Sequence, residues 1–201
     1  MRLHWNVFTF AQKPLSKPVF SITKIAMAEA MLHYKLSVKV EPRCISIWKE
    51  QWAKRLARVT LLVDFGDQFV IVMDKSNGFW FLPGGGVEQN ESIEEAAKRE
   101  ALEELGLEME INRVIKEFHI TLISTKTKEQ LIIPPFTLVH AIPIRGQLNA
   151  EYAPNRKIIL VKKKDCRKLL HSFKIPIEYE CMSPYYYVSK EVVRQLAICS
   201  T

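Results

Sequence analysis

The chain has no uninterrupted apolar segment long enough to cross a membrane, and it is poor in glycine, with seven in 201 residues. A transmembrane helix needs about 20 consecutive, mostly apolar residues. The basic start MRLHWNVFTFAQKPLSK leads into neither an apolar core of leader length nor a small-residue cleavage site, so a secretory leader is not indicated. We therefore expect a cytoplasmic protein that does not enter the membrane.

Cysteine and histidine are also scarce, and neither residue type is grouped. No C-x-x-C pair occurs among the four cysteines, which are Cys44, Cys166, Cys181 and Cys199. The five histidines are equally scattered, and His119 and His140 fall inside strand-like segments, where packing is the commoner role. The sequence therefore supports neither a zinc site nor a disulfide framework.

Charge is distributed unevenly along the chain. The net charge is +7 and the isoelectric point about 9.2, which favours anionic partners such as nucleotides, phosphorylated metabolites or nucleic acid. Residues 85–107 are the exception, with seven glutamates against only Lys98 and Arg99. The function depends on why a basic chain concentrates its acids in one segment.

Residues 1–56 differ in texture from the rest and are interpreted as a partly helical N-terminal extension. Residues 21–36 predict a helix that is apolar nearly all round, as in a helix that is buried or covered by a partner. Ile45, Trp48, Trp52 and Leu56 follow helical spacing and indicate a second, short helix, with a strand over 44–48 as the alternative. We expect the extension to pack on the main domain or to form a homodimer contact.

From residue 57 the pattern alternates between strands and helices. Strands are predicted over 59–63, 69–73, 79–82, 111–124, 131–144 and 157–161, and an amphipathic helix over 189–198. Residues 64–67 are predicted to join the first two strands as a hairpin. Because the elements lack a strict strand–helix–strand rhythm, the fold class is α/β of the mixed, α+β kind.

The glutamate-rich segment predicts a helix with well-defined ends. Ser92 and Glu95 form a capping-box pattern, and Gly106 suits the left-handed position that ends a helix. On a helical wheel, Ala101, Leu102 and Leu105 face the sheet, whereas the acids gather beside small apolar residues. The three acids on that face are Glu100, Glu103 and Glu104.

Carboxylates on one partly buried helix face repel one another. At about 4 Å each pair costs roughly 1–4 kcal/mol, depending on the local dielectric. A divalent cation removes this repulsion, and hard oxygen ligands suit Mg²⁺ or Mn²⁺, which also bind substrate phosphates. The alternative is a solvated acidic helix without a metal, and charge alone does not distinguish the two.

The spacing of the fixed residues does distinguish them. It satisfies G-x5-E-x7-R-E-U-x-E-E-x-G-U, where U is a bulky or aliphatic residue, with chance agreement on the order of 10⁻⁸ per starting position. The chain therefore resembles the Nudix hydrolase family, and the strand pattern fits such a domain over residues 57–201. The matching residues are Gly85, Glu91, Arg99, Glu100, Ala101, Glu103, Glu104, Gly106 and Leu107.

The resemblance implies an α/β/α sandwich with a mixed sheet and a loop–helix–loop catalytic motif. It also implies Mg²⁺- or Mn²⁺-dependent hydrolysis of a nucleoside diphosphate linked to another moiety. Carried over by position, Glu100, Glu103, Glu104 and the Gly85 carbonyl would bind the metal, and Glu103 or Glu104 would help activate water. Arg99 would orient the glutamates, and Glu91 would stabilise the loop–helix geometry.

Residues outside the motif leave several assignments open. Glu151 and Glu129 are both candidates for the additional base that many family members carry. Trp80 and Phe136 are candidates for stacking a nucleobase, with core packing as the alternative. Pro134 and Pro135 are interpreted as strand-entry residues.

Three functions fit these patterns. The first is a pyrophosphohydrolase acting on a nucleotide or nucleotide derivative. The second is a catalytically weak, nucleotide-sensing regulatory domain. The third is a pyrophosphohydrolase acting on the 5′ end of RNA, which the basic charge mildly favours.

Overall fold

The computed structural model describes residues 33–52, 57–149, 155–175 and 177–199. Short 3-10 turns cover Lys163–Asp165 and Ile177–Met182. The helices are α1 (Pro42–Trp52), α2 (Ile93–Leu105), α3 (Cys166–His171) and α4 (Ser183–Cys199). The strands are β1 (His33–Val40), β2 (Arg58–Val63), β3 (Gln68–Asp74), β4 (Trp80–Phe81), β5 (Leu107–Ser124), β6 (Gln130–Gly146) and β7 (Arg156–Lys162).

Two sheets form the middle layer. The first has the order β1-β5-β6-β2, in which β1 runs parallel to β5, β6 antiparallel to β5, and β2 parallel to β6. The second is antiparallel, with β3 between β4 and β7. The predicted mixed fold is thereby confirmed.

Helices cover both faces of these sheets, because the central strands are apolar on both sides. In β2, Leu61 packs on the side of α2, whereas Leu62 packs on the side of α1 and α4. β3 alternates in the same way, with Val70 toward α2 and Ile71 toward α4. The result is the α/β/α sandwich that the resemblance implied.

The prediction for residues 21–36 is wrong over its described part. Residues 33–36 belong to strand β1, which pairs with β5, and residues 21–32 lie outside the described ranges. Burial along β1 alternates from residue to residue, which is the period of a strand, and the pairing with β5 fixes this conformation. The short second helix is confirmed as α1, while Leu56 also lies outside the described part. The division of the chain at residues 56 and 57, and the dimer contact, stay predictions.

The hairpin predicted at residues 64–67 is correct as a chain reversal but wrong as a strand pairing. Beyond a single bridge between Asp64 and Phe69, β2 and β3 diverge into different sheets. Each finds its partners elsewhere, β2 beside β6 and β3 beside β7.

Pro134 and Pro135 lie inside β6 rather than at its entry. They occupy a bulge, because Phe136 pairs with Phe118 and Ile133 with Ile120, so that two β6 residues oppose one β5 residue. Proline has no N–H to donate, and within a sheet a bulge accommodates that loss.

The expectation of no disulfide is also wrong, because the structure joins Cys44 in α1 to Cys181 across 137 residues of sequence. The Trp48 indole N–H donates to the Cys181 carbonyl oxygen at 2.6 Å beside this bridge. Cys44 and Trp48 are both buried. The bridge therefore fastens α1 to the segment that precedes α4.

None of the helices in the described ranges has the length and apolarity that crossing a membrane requires.

A polar network joins the two sheets at the end of β2. Asp64 accepts from Lys163 Nζ at 3.0 Å and lies 2.9 Å from His140 Nε2. Burial raises the pKa of Asp64, but the hydrogen bonds from His140 and Lys163 outweigh burial and hold the pKa below its ordinary value. The charged form of Asp64 is therefore favoured in the folded chain.

We expect Asp64→Asn to lower the free energy of unfolding at neutral pH by about 1–3 kcal/mol, because Lys163 loses a charged partner. A folded-state pKa below the unfolded value gives stability that is present above the unfolded value and lost as pH falls through the folded one. Urea unfolding from neutral to strongly acidic pH measures the effect. Asp67→Asn, an exposed acid of the same turn, is the control. A difference between wild type and Asp64→Asn that persists at acidic pH would contradict the assignment.

We expect reduction of the Cys44–Cys181 bridge to lower the free energy of unfolding by about 2–5 kcal/mol, because the unfolded chain regains loop freedom. Thermal melts of wild type with and without reductant measure the shift, and Cys44→Ser should melt equally in both. Alkylation in urea without reductant should label two fewer cysteines than after reduction. Equal labelling would show that the bridge does not form.

Candidate active site

The glutamate-rich helix α2 is capped as its sequence predicts. Ser92 Oγ accepts from the Glu95 N–H at 3.2 Å, and the Glu95 carboxylate accepts from the Ser92 N–H at 2.8 Å. At the other end Gly106 is left-handed, with φ of 70°. The caps fix where α2 begins and ends.

One side of α2 is buried and carries mostly small residues, which are Ala96, Ala97 and Ala101, together with Leu105. Leu102, which the helical wheel placed against the sheet, is instead 52% exposed. The alanines let the helix lie close to β2 and β5. Glu100 lies among them and is buried.

The glycine-rich loop before α2 runs along strand β2 and is tied to it by backbone hydrogen bonds. Leu61 N–H donates to the Pro83 carbonyl and Val59 N–H to the Gly85 carbonyl, both at 2.9 Å. Gly84 has φ of 142°, and a Cβ there would lie 2.2 Å from the Val59 carbonyl oxygen. The loop therefore requires glycine to approach β2 this closely.

Gly85 is required for a different reason. A Cβ at this position would lie 1.5 Å from Glu100 Oε1, so the missing side chain leaves the space that the Glu100 carboxylate occupies. The Gly85 carbonyl accepts from Val59 N–H. Loop backbone and helix carboxylate thus meet at this point.

Arg99 connects the loop to the helix through all three of its nitrogen atoms. Its Nε and Nη2 donate to the two oxygens of Glu91 at 2.8 and 2.9 Å, and Nη2 also donates to the Gly86 carbonyl at 2.9 Å. Its Nη1 donates to Glu100 at 2.9 Å and to Glu103 at 3.2 Å. Hydrogen bonding to Glu91 raises the pKa of Arg99, so it stays charged.

Glu104 lies between the glycine loop and the start of β7. Its Oε2 accepts from the Gly84 N–H at 2.9 Å, and its Oε1 lies 3.3 Å from Arg156 Nη1. Burial raises the pKa of Glu104, and the charge of Glu100 adds to this rise, while the Gly84 N–H and Arg156 oppose it. A positive charge in this pocket favours the ionised carboxylate.

The three predicted metal ligands lie on one side of the site, but their carboxylate oxygens do not converge on one point. Glu100 is buried, Glu104 is largely buried, and the Glu103 side chain is 57% exposed. Within the described ranges, these three do not place one oxygen each within 4.8 Å of one another. The donors themselves, carboxylates beside a backbone carbonyl, fit a hard divalent cation.

The two aromatic candidates for substrate stacking lie in the core. Trp80 and Phe136 are each 1% exposed, and Phe136 packs edge-on against Tyr185. The structure thus favours core packing for both. Of the candidate bases, Glu129 is paired with Lys49 at 2.6 Å, and Glu151 lies outside the described residues.

Two arginines near the site were not predicted from sequence. Arg58 donates from Nη2 to the Gly84 carbonyl at 2.8 Å and stacks over the Tyr185 ring at 3.6 Å. Arg156 approaches Glu104 from the start of β7, with its guanidinium 5.0 Å from the Phe81 ring centre. In the sequence, only the position of Arg156 directly before a predicted strand could have indicated a role at the site. For Arg58 there was no such indication in the sequence.

Three solved structures are similar to this chain. One is a UDP-X diphosphatase, at 16% identity over 79% of this chain and 71% of that chain, with a TM-score of 0.49. Another is the mutator MutT protein from Bacillus halodurans, at 22% identity over 68% and 81% of the two chains, with a TM-score of 0.49. A third is an ADP-ribose pyrophosphatase from Streptococcus suis, at 14% identity over 69% and 91%, with a TM-score of 0.41. Similarity at this level does not bear on the substrate.

Family membership follows from the sequence. No curated protein matches the sequence significantly. The model of the NUDIX domain matches residues 53–167, which is more than half of the chain and includes the capped helix, its glycine loop and strands β2–β7. The chain therefore belongs to the Nudix family of hydrolases.

Proposed function

We propose that the chain is a divalent-metal-dependent pyrophosphohydrolase that cleaves a nucleoside diphosphate linked to another moiety. The observation that supports this most strongly is the Arg99 network, which connects the glycine loop to two helix carboxylates. A solvated acidic helix would need no such network. The substrate is a nucleotide or a nucleotide derivative.

Glu100, Glu103, Glu104 and the Gly85 carbonyl are the proposed holders of Mg²⁺ or Mn²⁺. When bound, the cation neutralises the diphosphate and lowers the pKa of a coordinated water. Glu100 is already aimed at Gly85, whose missing side chain leaves it room. Glu103, which is exposed, and Glu104, which is paired with Arg156, would both change orientation to hold the ion.

Arg99 and Glu91 are the proposed positioning residues. The Glu91 carboxylate accepts two hydrogen bonds from Arg99 and one from the Glu88 N–H at 2.9 Å, so it fixes the guanidinium from the loop side. Arg99 in turn limits where Glu100 and Glu103 can lie. Glu103 or Glu104 is the proposed group that takes the proton of the attacking water.

Arg156 has a proposed second role. Its pairing with Glu104 places a cation where a metal would otherwise compensate that carboxylate. A cation held by the glutamates would leave the Arg156 guanidinium free for a substrate phosphate, which it could contact with two parallel N–H groups. The Arg156 side chain is 43% exposed and has room for this movement.

A nucleotide-sensing function is the second candidate, and the same pairing favours it. Each of the three glutamates has an arginine partner, Arg99 for Glu100 and Glu103 and Arg156 for Glu104, so part of their negative charge is offset without a metal. A domain of this kind would bind a nucleotide without turnover. Hydrolysis at the 5′ end of RNA is a third possibility, supported only by the net charge.

The cytoplasm is the proposed location, and a homodimer the proposed assembly. Glutathione and thioredoxin keep most cytoplasmic thiols reduced, so a Cys44–Cys181 bridge that persists in the cell would count against this location. Equilibrium sedimentation of the full chain, with and without reductant, measures the assembly.

We expect Glu104→Gln and Glu103→Gln each to lower kcat about 10²–10⁴-fold, the range that a lost proton acceptor costs. The assay is a panel of nucleoside triphosphates, ADP-ribose, dinucleotides, sugar nucleotides and triphosphorylated RNA, with Mg²⁺ and with Mn²⁺. Glu94→Gln, an exposed acid of the same helix paired with Lys98, is the control. Nucleotide binding by wild type without metal-dependent turnover would favour the sensor instead.

We expect Arg156→Ala to raise KM about tenfold or more, because a charged hydrogen bond to phosphate is worth about 1.5–3 kcal/mol. The Mg²⁺ concentration for half-maximal activity should fall, because the competing cation at Glu104 is gone. Lys157→Ala removes the same charge from the next, exposed position of β7 and serves as the control. Equal KM values for the two variants would contradict a phosphate contact.

A further inference from the structure

Three side chains that bind transition metals meet on the solvent-facing side of the β1–β5 pair. They are His33 at the start of β1 and Glu117 and His119 on β5. None of them belongs to the glycine loop or to helix α2. Their ligand atoms lie within 4.8 Å of one another, which no other group of histidine, cysteine or acidic side chains achieves in the described ranges.

The strand register brings these residues together. His33 pairs with Glu117 in the parallel ladder, and His119 lies two residues further along the same face of β5. The opposite face of this part of β5 carries Phe118 and Ile120, which are fully buried. The packing of that face fixes the direction in which Glu117 and His119 point.

A bulge reinforces the arrangement. His119 is the single β5 residue that lies opposite Pro134 and Pro135 of β6. Bulges commonly redirect a side chain and lie near functional sites. Because Pro134 and Pro135 have no N–H to donate, the hydrogen-bond ladder between β5 and β6 is interrupted beside His119.

The three ligand atoms form a triangle of the size that a zinc ion requires. His33 Nδ1 lies 2.9 Å from His119 Nε2, His119 Nε2 lies 2.8 Å from Glu117 Oε1, and His33 Nδ1 lies 3.8 Å from the same oxygen. Ligands at about 2.05 Å around a tetrahedral ion are separated by about 3.3 Å. The three observed separations lie around this value, so small side-chain movements suffice.

We propose that His33, Glu117 and His119 form a Zn²⁺ site with three protein ligands and a fourth position open to water. Two imidazole nitrogens and one carboxylate oxygen are ligands typical of zinc. Mg²⁺ takes oxygen ligands in octahedral geometry, so it does not compete for this site. The site therefore differs from the carboxylate site in the cation that it selects, and it stands independently of the proposed function.

A zinc ion here would fasten an edge strand. β1 is the terminal strand of its sheet and pairs with β5 alone among the described strands. His33 is its first described residue, so the ion would join this end of the described strand to its neighbour. Anything that binds only the folded chain stabilises it in proportion to its occupancy.

The test is zinc titration of the full chain in excess Mg²⁺, followed by calorimetry and by the visible absorption of Co²⁺ as a zinc substitute. We expect one Zn²⁺ per chain, at least tenfold weaker binding in His33→Ala, His119→Ala and Glu117→Gln, and loss of the tetrahedral Co²⁺ spectrum. Zinc should raise the melting temperature of wild type and not of these variants. Magnesium-dependent hydrolysis should be the same in all of them.

Two controls separate this site from other zinc binding. His171→Ala removes an exposed histidine in α3 and should bind zinc as wild type does. Glu104→Gln should also bind zinc normally, and loss of zinc there would place the ion on helix α2 and overturn the proposal. Circular dichroism in EDTA establishes that the variants are folded, and Glu117→Gln preserves side-chain shape. Wild type without zinc binding, or ligand variants that bind like wild type, would also overturn it.

Discussion

The guanidinium of Arg99 is the contact on which the arrangement of the site depends, because it joins parts of the chain that no secondary structure holds together. On the loop side it binds Glu91 and the Gly86 carbonyl, and on the helix side it binds Glu100 and Glu103. Lysine offers a single point of charge and cannot span these directions, whereas the planar fork of arginine can. The fixed spacing between the loop glutamate and the helix arginine is thus a geometric requirement.

Features that depend on neighbouring residues were predictable from the sequence. The ends of α2 follow from Ser92, Glu95 and Gly106, whose capping roles are local. Most strands follow from apolar runs bounded by turn residues, and their bounds are close to those in the structure. The motif indicated the family because its residues lie on one loop and one helix, where spacing alone determines which side chains are neighbours.

Features that depend on distant partners were not predictable. Residues 33–36 form a strand because β5 lies beside them, and the Cys44–Cys181 bridge joins residues 137 positions apart. Periodicity does not show which aromatic side chains are buried, so sequence alone did not decide whether Trp80 and Phe136 stack on a substrate or pack in the core. Arg156 reaches the site only through the pairing of β7 with β3. In each case a tertiary contact that local sequence does not encode determined the outcome.

The glycine loop has a consequence for the behaviour of the chain in concentrated solution. By lying along β2, it uses N–H groups at one edge of the four-stranded sheet, which would otherwise be free to pair with another molecule. Unpaired strand edges promote aggregation, and proteins commonly cover them with a loop. Variants that loosen this loop would therefore expose the edge of β2 and lower the solubility of the chain. Attempts to widen the specificity of the site by changing the loop are expected to produce precipitation.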